Sequence, residues 1–278
     1  MSDDSRLKPL TLDLVMHSDG AFTPTGLVNK LKIEQGLEGK VAKQVIRELI
    51  ESGELEYSDQ NGRTCIDLSY KRPVRISPHV ILKPPEMSCD GKKDDIVINL
   101  RRATSFGWGN HPTTQLSIQA LDWVLFGKNE EMHGCAALDI GTGSGVLALV
   151  AARLAMSHVY ACDIDPVSLN EARENVVLNK LEDRVYVVEK PDFEMGYQVI
   201  IANLRYPTLL DLYPEIEKMV NDKGYVVLSG IKVEEKKIVE DRYGIAGVFT
   251  EIWSRDKNGW CGLVFRKKDK KIHRSYSM

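Results

Sequence analysis

The feature that most constrains the fold is a glycine-rich segment directly after a short apolar run. Residues 136–140 read AALDI, which is typical of a buried strand, and residues 141–145 read GTGSG. The apolar, alanine-rich stretch 146–155 then predicts a helix. Because glycine has no side chain, such a turn lets a ligand approach the backbone between the strand and the helix. This pattern predicts the first strand–loop–helix unit of an open α/β sheet.

The same alternation continues towards the C-terminus. A second strand is predicted at 158–162, and Asp165-Pro166 predicts the start of a helix that runs to Asn179. Further strands are predicted at 184–188, 197–201 and 224–229, the last two separated by a helix. Strands that alternate with helices of this length predict an α/β fold built on a doubly wound, mostly parallel, Rossmann-like sheet.

An acidic residue follows the second strand at a position suited to ribose. Asp163 lies 22 residues after Gly141 and is placed to accept hydrogen bonds from both hydroxyls of a nucleoside. The spacing G-x-G-x-G differs from the dinucleotide fingerprint G-x-G-x-x-G, whose third glycine would fall on Val146. It therefore favours a nucleoside cofactor without a pyrophosphate. The alternative is a plain tight turn in which Asp163 and Asp165 only cap the next helix, and for Asp165 a cap is expected in either case.

A polar residue follows the fourth predicted strand. Asn203 stands at the carboxyl end of that strand, where open α/β sheets bind their ligands. Its amide oxygen and the backbone carbonyl of Leu204 are suited to accept two hydrogens of an amine and to aim the nitrogen lone pair. The alternative role for Asn203 is that of a turn-forming residue. No general base is evident, and His111 and Tyr206 are as well suited to structural roles as to proton removal.

Upstream of the glycine loop, residues 105–114 read SFGWGNHPTT. Together with the loop, Asp-Ile-Asp at 163–165, Ala-Asn-Leu at 202–204, Ser-Gly-Ile at 229–231 and Trp-Cys at 260–261, this segment resembles the PrmA-type ribosomal protein methyltransferases. The resemblance covers about residues 75–268. It implies a class I methyltransferase fold with a seven-stranded sheet and S-adenosylmethionine as cofactor. It also implies methylation of lysine side chains or an N-terminal amine of a large-subunit ribosomal protein.

The resemblance also implies site residues. The cofactor-site positions of the family fall on Thr114, Gly141, Gly143, Asp163 and Asn203, and the catalytic position falls on Asn203. Two departures stand out. Trp108 and Asn110 replace threonines that are usual in the family, and the first 70 residues do not resemble its small α/β substrate-recognition domain. The resemblance therefore supports the chemistry more strongly than the identity of the methyl acceptor.

The first 70 residues predict a separate winged-helix-like domain. Thr23-Pro24 predicts the start of a helix to Leu31, and a second helix is expected at 38–52. The apolar face of the second helix is expected to contain Val41, Val45, Ile46 and Leu49. Strands near 54–58 and 64–69 are joined through Asn61-Gly62, a strong hairpin signal. The proline-rich segment 71–95 is interpreted as a connection, 96–268 as the methyltransferase domain, and 269–278 as a basic, solvated tail.

The charge of this first domain bears on its partner. Residues 1–70 contain eight Lys and Arg against twelve Asp and Glu, a balance of −4. Because DNA binding depends on neutralising phosphates, DNA binding is not expected unless the few cations share one face. We expect a protein-docking or dimerising role instead. The basic tail, by contrast, could hold ribosomal RNA or an acidic partner.

The remaining composition excludes other classes of protein. No run of apolar residues is long enough to span a bilayer, and the polar, acidic N-terminus does not resemble a secretory signal. The five cysteines are widely spaced without a C-x-x-C pair, so neither disulfides nor a metal site is expected, and a cytoplasmic location is. Two other functions stay open: methylation of RNA or a small molecule, and a regulator that senses S-adenosylmethionine through its winged helix. The oligomeric state is not predicted.

Overall fold

The computed structural model describes residues 4–16, 18, 22–60, 62–101, 109, 111–244 and 247–269. The chain divides into two compact units, Met1–Val74 and Arg75–Met278. Each unit has its own buried apolar cluster. Asn61, most of the 105–114 segment (including Phe106, Gly107, Trp108 and Asn110) and the tail from residue 270 lie outside the described residues.

The first unit is a small helical domain followed by a hairpin. Its elements are α1 (Asp4–Met16), α2 (Pro24–Gln35), α3 (Gly39–Glu51), β1 (Leu55–Gln60) and β2 (Arg63–Leu68). The side chain of Thr23 accepts a hydrogen bond from the amide of Gly26, which caps α2 at its predicted start. Helix α1 was not predicted, because its sequence includes Pro9 and lacks a clear start signal.

The core of this unit lies between the helices and the hairpin. It consists of Leu27, Leu31, Ala42, Val45, Ile46, Leu49, Leu55 and Ile66. Three of the four residues predicted for the apolar face of α3 are buried, but Val41 is 37% exposed and Ala42 is fully buried in its place. The helical period explains the difference, since residue 42 lies on the same face as 45, 46 and 49, whereas residue 41 is about 100° away from residue 42.

Short strands occur in the segment that was interpreted as an irregular connection. Strands β3 (Val74–Arg75), β4 (Val80–Lys83) and β5 (Ile96–Asn99) form a small sheet in the order β3-β4-β5. Two of these strands lie within 71–95, so this part of the chain is more regular than its prolines indicated. The prolines lie beside the strands rather than in them, where they cost no ladder hydrogen bond. Val80, Ile81 and Leu82 are buried.

The second unit is built on a sheet of seven strands within the described residues, in the order β11-β12-β10-β9-β6-β7-β8. These strands are β6 (Ala136–Ile140), β7 (His158–Cys162), β8 (Val185–Val188), β9 (Tyr197–Asn203), β10 (Val220–Lys232), β11 (Phe249–Lys257) and β12 (Trp260–Lys267). All neighbouring pairs are parallel except those that involve β12. The predicted doubly wound α/β sheet is therefore confirmed.

Helices surround this sheet. They are α4 (Pro112–Leu125), α5 (Asn129–Met132), α6 (Val146–Leu154), α7 (Pro166–Leu178), α8 (Tyr206–Asp211), α9 (Tyr213–Met219) and α10 (Lys236–Gly244), with a 3₁₀ turn at Val233–Glu235. The central strands are continuous apolar runs because helices cover both faces of a parallel sheet. Among the described residues, no helix is long and apolar enough to cross a bilayer.

Candidate active site

The candidate site lies at the carboxyl edge of the central strands. Strands β6, β9 and β10 are neighbours in the sheet, and each is followed or interrupted there by a residue with special backbone geometry. The glycine loop follows β6, Asn203 ends β9, and Gly230 interrupts the regular pairing of β10 with β12. Parallel strands bring their carboxyl ends to one edge, so these segments, distant in sequence, lie together.

The glycine loop requires glycine for geometric reasons. Gly141, Gly143 and Gly145 have φ values of 71°, 54° and 82°, in the left-handed region. A Cβ atom on Gly141 would lie 2.5 Å from Cδ2 of Leu204. The amides of Gly141 and Thr142 both donate to the carbonyl of Cys162, each at 2.9 Å, which holds the loop against the end of β7.

Asp139 anchors the loop from below, a role that the sequence interpretation did not assign to it. Its side chain is fully buried, and one carboxylate oxygen accepts hydrogen bonds from the Thr142 hydroxyl at 2.6 Å and the Ala148 amide at 3.2 Å. Its other oxygen is buried without a partner among the described residues. Burial raises the pKa of Asp139 to about 7. An acid inside an apolar strand was the sequence signal available for finding it.

Asp163 and Asp165 have different contacts. Asp163 is half-buried, and its two oxygens accept hydrogen bonds from the amides of Gly143 at 2.9 Å and Asp165 at 3.0 Å. Since a carboxylate has about four acceptor positions, Asp163 keeps the capacity to accept two further hydrogen bonds. Asp165 caps α7 through the amides of Val167 and Ser168, and these bonds lower its pKa.

Asn203 and Thr114 are 89 residues apart in sequence and meet at this edge. The Nδ2 atom of Asn203 donates to the Thr114 hydroxyl at 3.5 Å, the long limit of a hydrogen bond. Thr114 is fully buried in the first turn of α4. The Oδ1 atom of Asn203 is buried and has no partner among the described residues. A buried acceptor without a donor is costly, and this one lies beside the glycine loop.

The backbone of Leu204 lies against β10. Its amide donates to the carbonyl of Ser229 at 3.1 Å, and a Cβ atom on Gly230 would overlap its carbonyl oxygen. Gly230 has a φ of 83°, so both its conformation and its contact with Leu204 require glycine. The close approach fixes the position of the Leu204 carbonyl directly after Asn203.

Aromatic and charged side chains surround the edge. His111 precedes α4 and its Nδ1 atom accepts the amide of Thr113 at 3.3 Å, while burial lowers its pKa. Its ring meets the ring of Trp260 edge-on, with centroids 5.0 Å apart. The guanidinium of Arg205 lies 5.6 Å from the centroid of Trp260 and pairs with Glu235 at 3.4 Å. Arg205 and Glu235 were missed in the sequence, although both come directly after strands of the predicted sheet.

These residues fit a nucleoside cofactor. The glycines leave room at the backbone, the carboxylate of Asp163 has acceptor capacity for ribose hydroxyls, and the buried Oδ1 of Asn203 lacks a donor. No group of three or more metal-ligating side chains is found in the described parts of the chain.

Comparison with known proteins identifies the family. Residues 47–268 match the family described as "Ribosomal protein L11 methyltransferase (PrmA)". A ribosomal protein L11 methyltransferase of Carboxydothermus hydrogenoformans is 36% identical over 203 residues, covering 72% of this chain and 64% of the relative. One of Streptococcus uberis is 34% identical over 226 residues, covering 79% of this chain and 67% of the relative. The matches thus span about two thirds of the relatives' length.

A solved structure agrees with these matches. The crystal structure of a ribosomal protein L11 methylase from Lactobacillus delbrueckii subsp. bulgaricus superimposes with a TM-score of 0.63 at 28% identity. It covers 72% of this chain and all of that one. Because the family profile spans most of the sequence and relatives above 30% identity cover more than 70% of it, the chain belongs to the PrmA family of ribosomal protein L11 methyltransferases.

Proposed function

We propose that this protein is an S-adenosylmethionine-dependent methyltransferase that methylates an amino group, a lysine or an N-terminal amine, of a ribosomal protein. The observation that carries the proposal is the buried Oδ1 atom of Asn203, an acceptor without a donor at the carboxyl edge of β9. Family membership and the names of the relatives support the same chemistry and substrate.

The cofactor-binding residues in this proposal are Thr114, Gly141, Gly143, Asp163 and Asn203. S-adenosylmethionine supplies a methyl group on a sulfonium, an electrophile that needs only an aligned nucleophile. Asp163 would accept the ribose hydroxyls, and the two glycines would let the nucleoside lie on the backbone. Thr114 would hold the amide of Asn203 through its hydroxyl.

Asn203 orients the acceptor amine. Its Oδ1 atom and the carbonyl of Leu204 are adjacent acceptors that can each take one N–H of an amine, so that the lone pair points away from both. A lysine must be neutral to attack, and deprotonation at pH 7 costs about 4–5 kcal/mol. An apolar, cation-bearing site offsets part of this cost. His111, whose pKa burial lowers, is neutral at pH 7, but its Nδ1 is already bonded to Thr113.

The first unit, in this proposal, is a winged-helix-like recognition module for the substrate particle. Three helices followed by an antiparallel hairpin support that description. A ribosomal substrate would place the reaction in the cytoplasm. The two other functions, methylation of RNA or a small molecule and cofactor sensing by a regulator, make different predictions in one assay.

The test is transfer of labelled methyl groups from S-adenosylmethionine to large-subunit ribosomal proteins, supplied free and within the assembled subunit. We expect protease-sensitive label on an amine, identified by mass spectrometry. Asn203→Ala should reduce kcat by about 100-fold or more, because the amine loses its alignment. Asn170→Ala, which removes an exposed asparagine hydrogen-bonded to Glu174, is the control and should leave kcat unchanged. Label removed only by nuclease, or cofactor binding without any transfer, would contradict the proposal.

A further inference from the structure

Helix α3 presents a basic stripe to solvent. The residues opposite its buried face are Lys40, Lys43, Gln44, Arg47 and Glu51, and all five are exposed. The buried side is formed by Ala42, Val45, Ile46 and Leu49. At 100° per residue, positions 40, 43, 44, 47 and 51 fall within about 100° of one another around the helix. The three cations therefore share one face, a condition that net charge alone does not reveal.

These cations are not neutralised by neighbours. Among the described residues, no ion pair or hydrogen bond involves the side chain of Lys40, Lys43 or Arg47. Other cations of the unit are paired: Lys8 with Glu48 at 2.9 Å, and Lys30 with Glu34 at 2.5 Å. The Lys8 pair also neutralises the acid next to the stripe, and leaves Glu51, in the last turn, as the one acid on it.

A fourth cation extends the stripe at its amino end. Lys32 lies exposed in the last turn of α2, and its Cδ atom would be 3.8 Å from a Cβ atom placed on Gly39, the first residue of α3. Glu38, exposed just before α3, partly offsets this charge. The basic stripe, defined as Lys32, Lys40, Lys43 and Arg47, is thus one positive surface on a unit whose first 70 residues carry a balance of −4.

The chemistry of the stripe favours a polyanion over a protein surface. Protein interfaces depend on buried aromatic and apolar anchors, and the exposed face of α3 offers only Lys, Gln, Arg and one Glu. From Lys40 to Arg47 the cations span about 10 Å along the axis, at 1.5 Å per residue. That length suits contacts with successive backbone phosphates, which dominate the affinity of nucleic-acid binding.

We propose that the basic stripe of α3 binds the phosphate backbone of RNA. The choice of RNA rests on the proposed function, since the proposed substrate is a protein of the large ribosomal subunit, a particle that contains RNA. Binding through the stripe would hold the enzyme on the particle independently of sequence, because phosphate contacts carry no base information. This refines the expectation from net charge, which disfavoured nucleic acid only if the cations were dispersed.

The test uses the full chain without substrate protein. Fluorescence anisotropy measures binding of a labelled stem–loop RNA from the large-subunit RNA, and of a DNA duplex of the same sequence, between 50 and 200 mM salt. The test variant is Lys40→Gln/Lys43→Gln/Arg47→Gln, and Lys30→Gln, on the same unit but in a neutralised pair, is the control. Circular dichroism verifies that each variant is folded.

We expect the triple variant to bind RNA at least about tenfold more weakly, and its salt slope to fall by about 2–3, one for each lost phosphate contact. The control should bind within about twofold of the wild type. Equal RNA affinity of the triple variant and the wild type would overturn the proposal. So would tighter binding of the DNA duplex, or a defect confined to binding of free ribosomal protein. Because binding is measured without methyl transfer, loss of the proposed function leaves this result readable, and methylation of free protein by the triple variant tests that function separately.

Discussion

Two aspartates at the end of β7 have different roles although only one residue separates them. Asp163 contacts the glycine loop through the amide of Gly143, whereas Asp165 is committed to the amides that begin α7. We therefore expect Asp163→Ala to weaken S-adenosylhomocysteine binding by 100-fold or more, at about 1–3 kcal/mol for each lost hydrogen bond to a charged group. Isothermal titration calorimetry measures this affinity directly.

Asp165→Ala is the matched control for that measurement. It should leave the affinity within about threefold of the wild type and lower the free energy of unfolding by about 1 kcal/mol, the usual cost of losing an N-cap. If both variants lost affinity equally, the ribose position assigned to Asp163 would be wrong.

The buried carboxyl of Asp139 should make the stability of the protein depend on pH. Burial raises its pKa from 3.8 to about 7, so the folded protein holds this proton more tightly than the unfolded chain does. The resulting stabilisation is fully present below the unfolded pKa and is lost as the pH rises through the folded pKa. Between pH 5 and pH 8 the loss is about 2–3 kcal/mol, at about 1.4 kcal/mol per pKa unit.

Asp139→Asn removes this titration and keeps an oxygen for Thr142 and Ala148. Urea unfolding at pH 5 and pH 8 should show that the wild type, relative to the variant, loses about 2–3 kcal/mol across that interval. Other titrating groups are common to both proteins and cancel in the difference. A difference that stays constant with pH would mean that Asp139 is ionised in the folded protein throughout this range.

At the level of elements, the ends of β9 and β10 are held together by a contact that only glycine permits. A Cβ atom on Gly230 would overlap the Leu204 carbonyl oxygen, one of the two acceptors proposed for the amine. Gly230→Ala should therefore displace that carbonyl and reduce kcat by at least tenfold, in addition to the cost of about 1–2 kcal/mol for alanine at positive φ. A methyl-transfer assay and urea unfolding separate the two effects.

Gly134→Ala provides the comparison for Gly230→Ala. Gly134 has a similar φ of 73°, but nothing lies within 4 Å of its added Cβ, so only the backbone cost applies. We expect this variant to lose about 1–2 kcal/mol of stability at unchanged kcat. Equal kcat in both glycine variants would show that the position of the Leu204 carbonyl does not matter for transfer.

The elements that could be predicted from sequence are those with local signals. Strands β6 and β7 are short apolar runs, and α7 begins at an Asp-Pro cap, so both strands and the helix start were predicted to within a residue. The hairpin of β11 and β12 was not predicted, although Asn258 and Gly259 have the positive φ values of a two-residue turn and repeat the signal seen at Asn61-Gly62. The edge strands lack a clear period because β11 is largely exposed.

The site was predictable in part for a different reason. Gly141 and Asp163 follow consecutive strands, so a sheet edge brings them together without further information. The meeting of Thr114 with Asn203 depends on where α4 packs, which no local pattern contains, and it was expected only from the family resemblance. The contact of Arg205 with Trp260 joins segments 55 residues apart and was not expected at all.

At the scale of the whole molecule, the two units have separate cores and should unfold as two cooperative steps. Leu49 is fully buried in the core of the first unit. Leu49→Ala should destabilise that unit by about 2–5 kcal/mol and lower only its transition. S-adenosylhomocysteine at 100 times its Kd should stabilise only the second unit, by about 2.7 kcal/mol.

Differential scanning calorimetry of the wild type and Leu49→Ala, each with and without S-adenosylhomocysteine, separates these effects. Leu263→Ala, which truncates a fully buried leucine of the second unit, is the matched variant and should lower the ligand-sensitive transition instead. If the ligand and Leu49→Ala shifted the same single transition, the two cores would be thermodynamically coupled. Binding at the sheet edge would then stabilise the unit that carries α3, and the cofactor would strengthen the RNA contact proposed for its basic stripe.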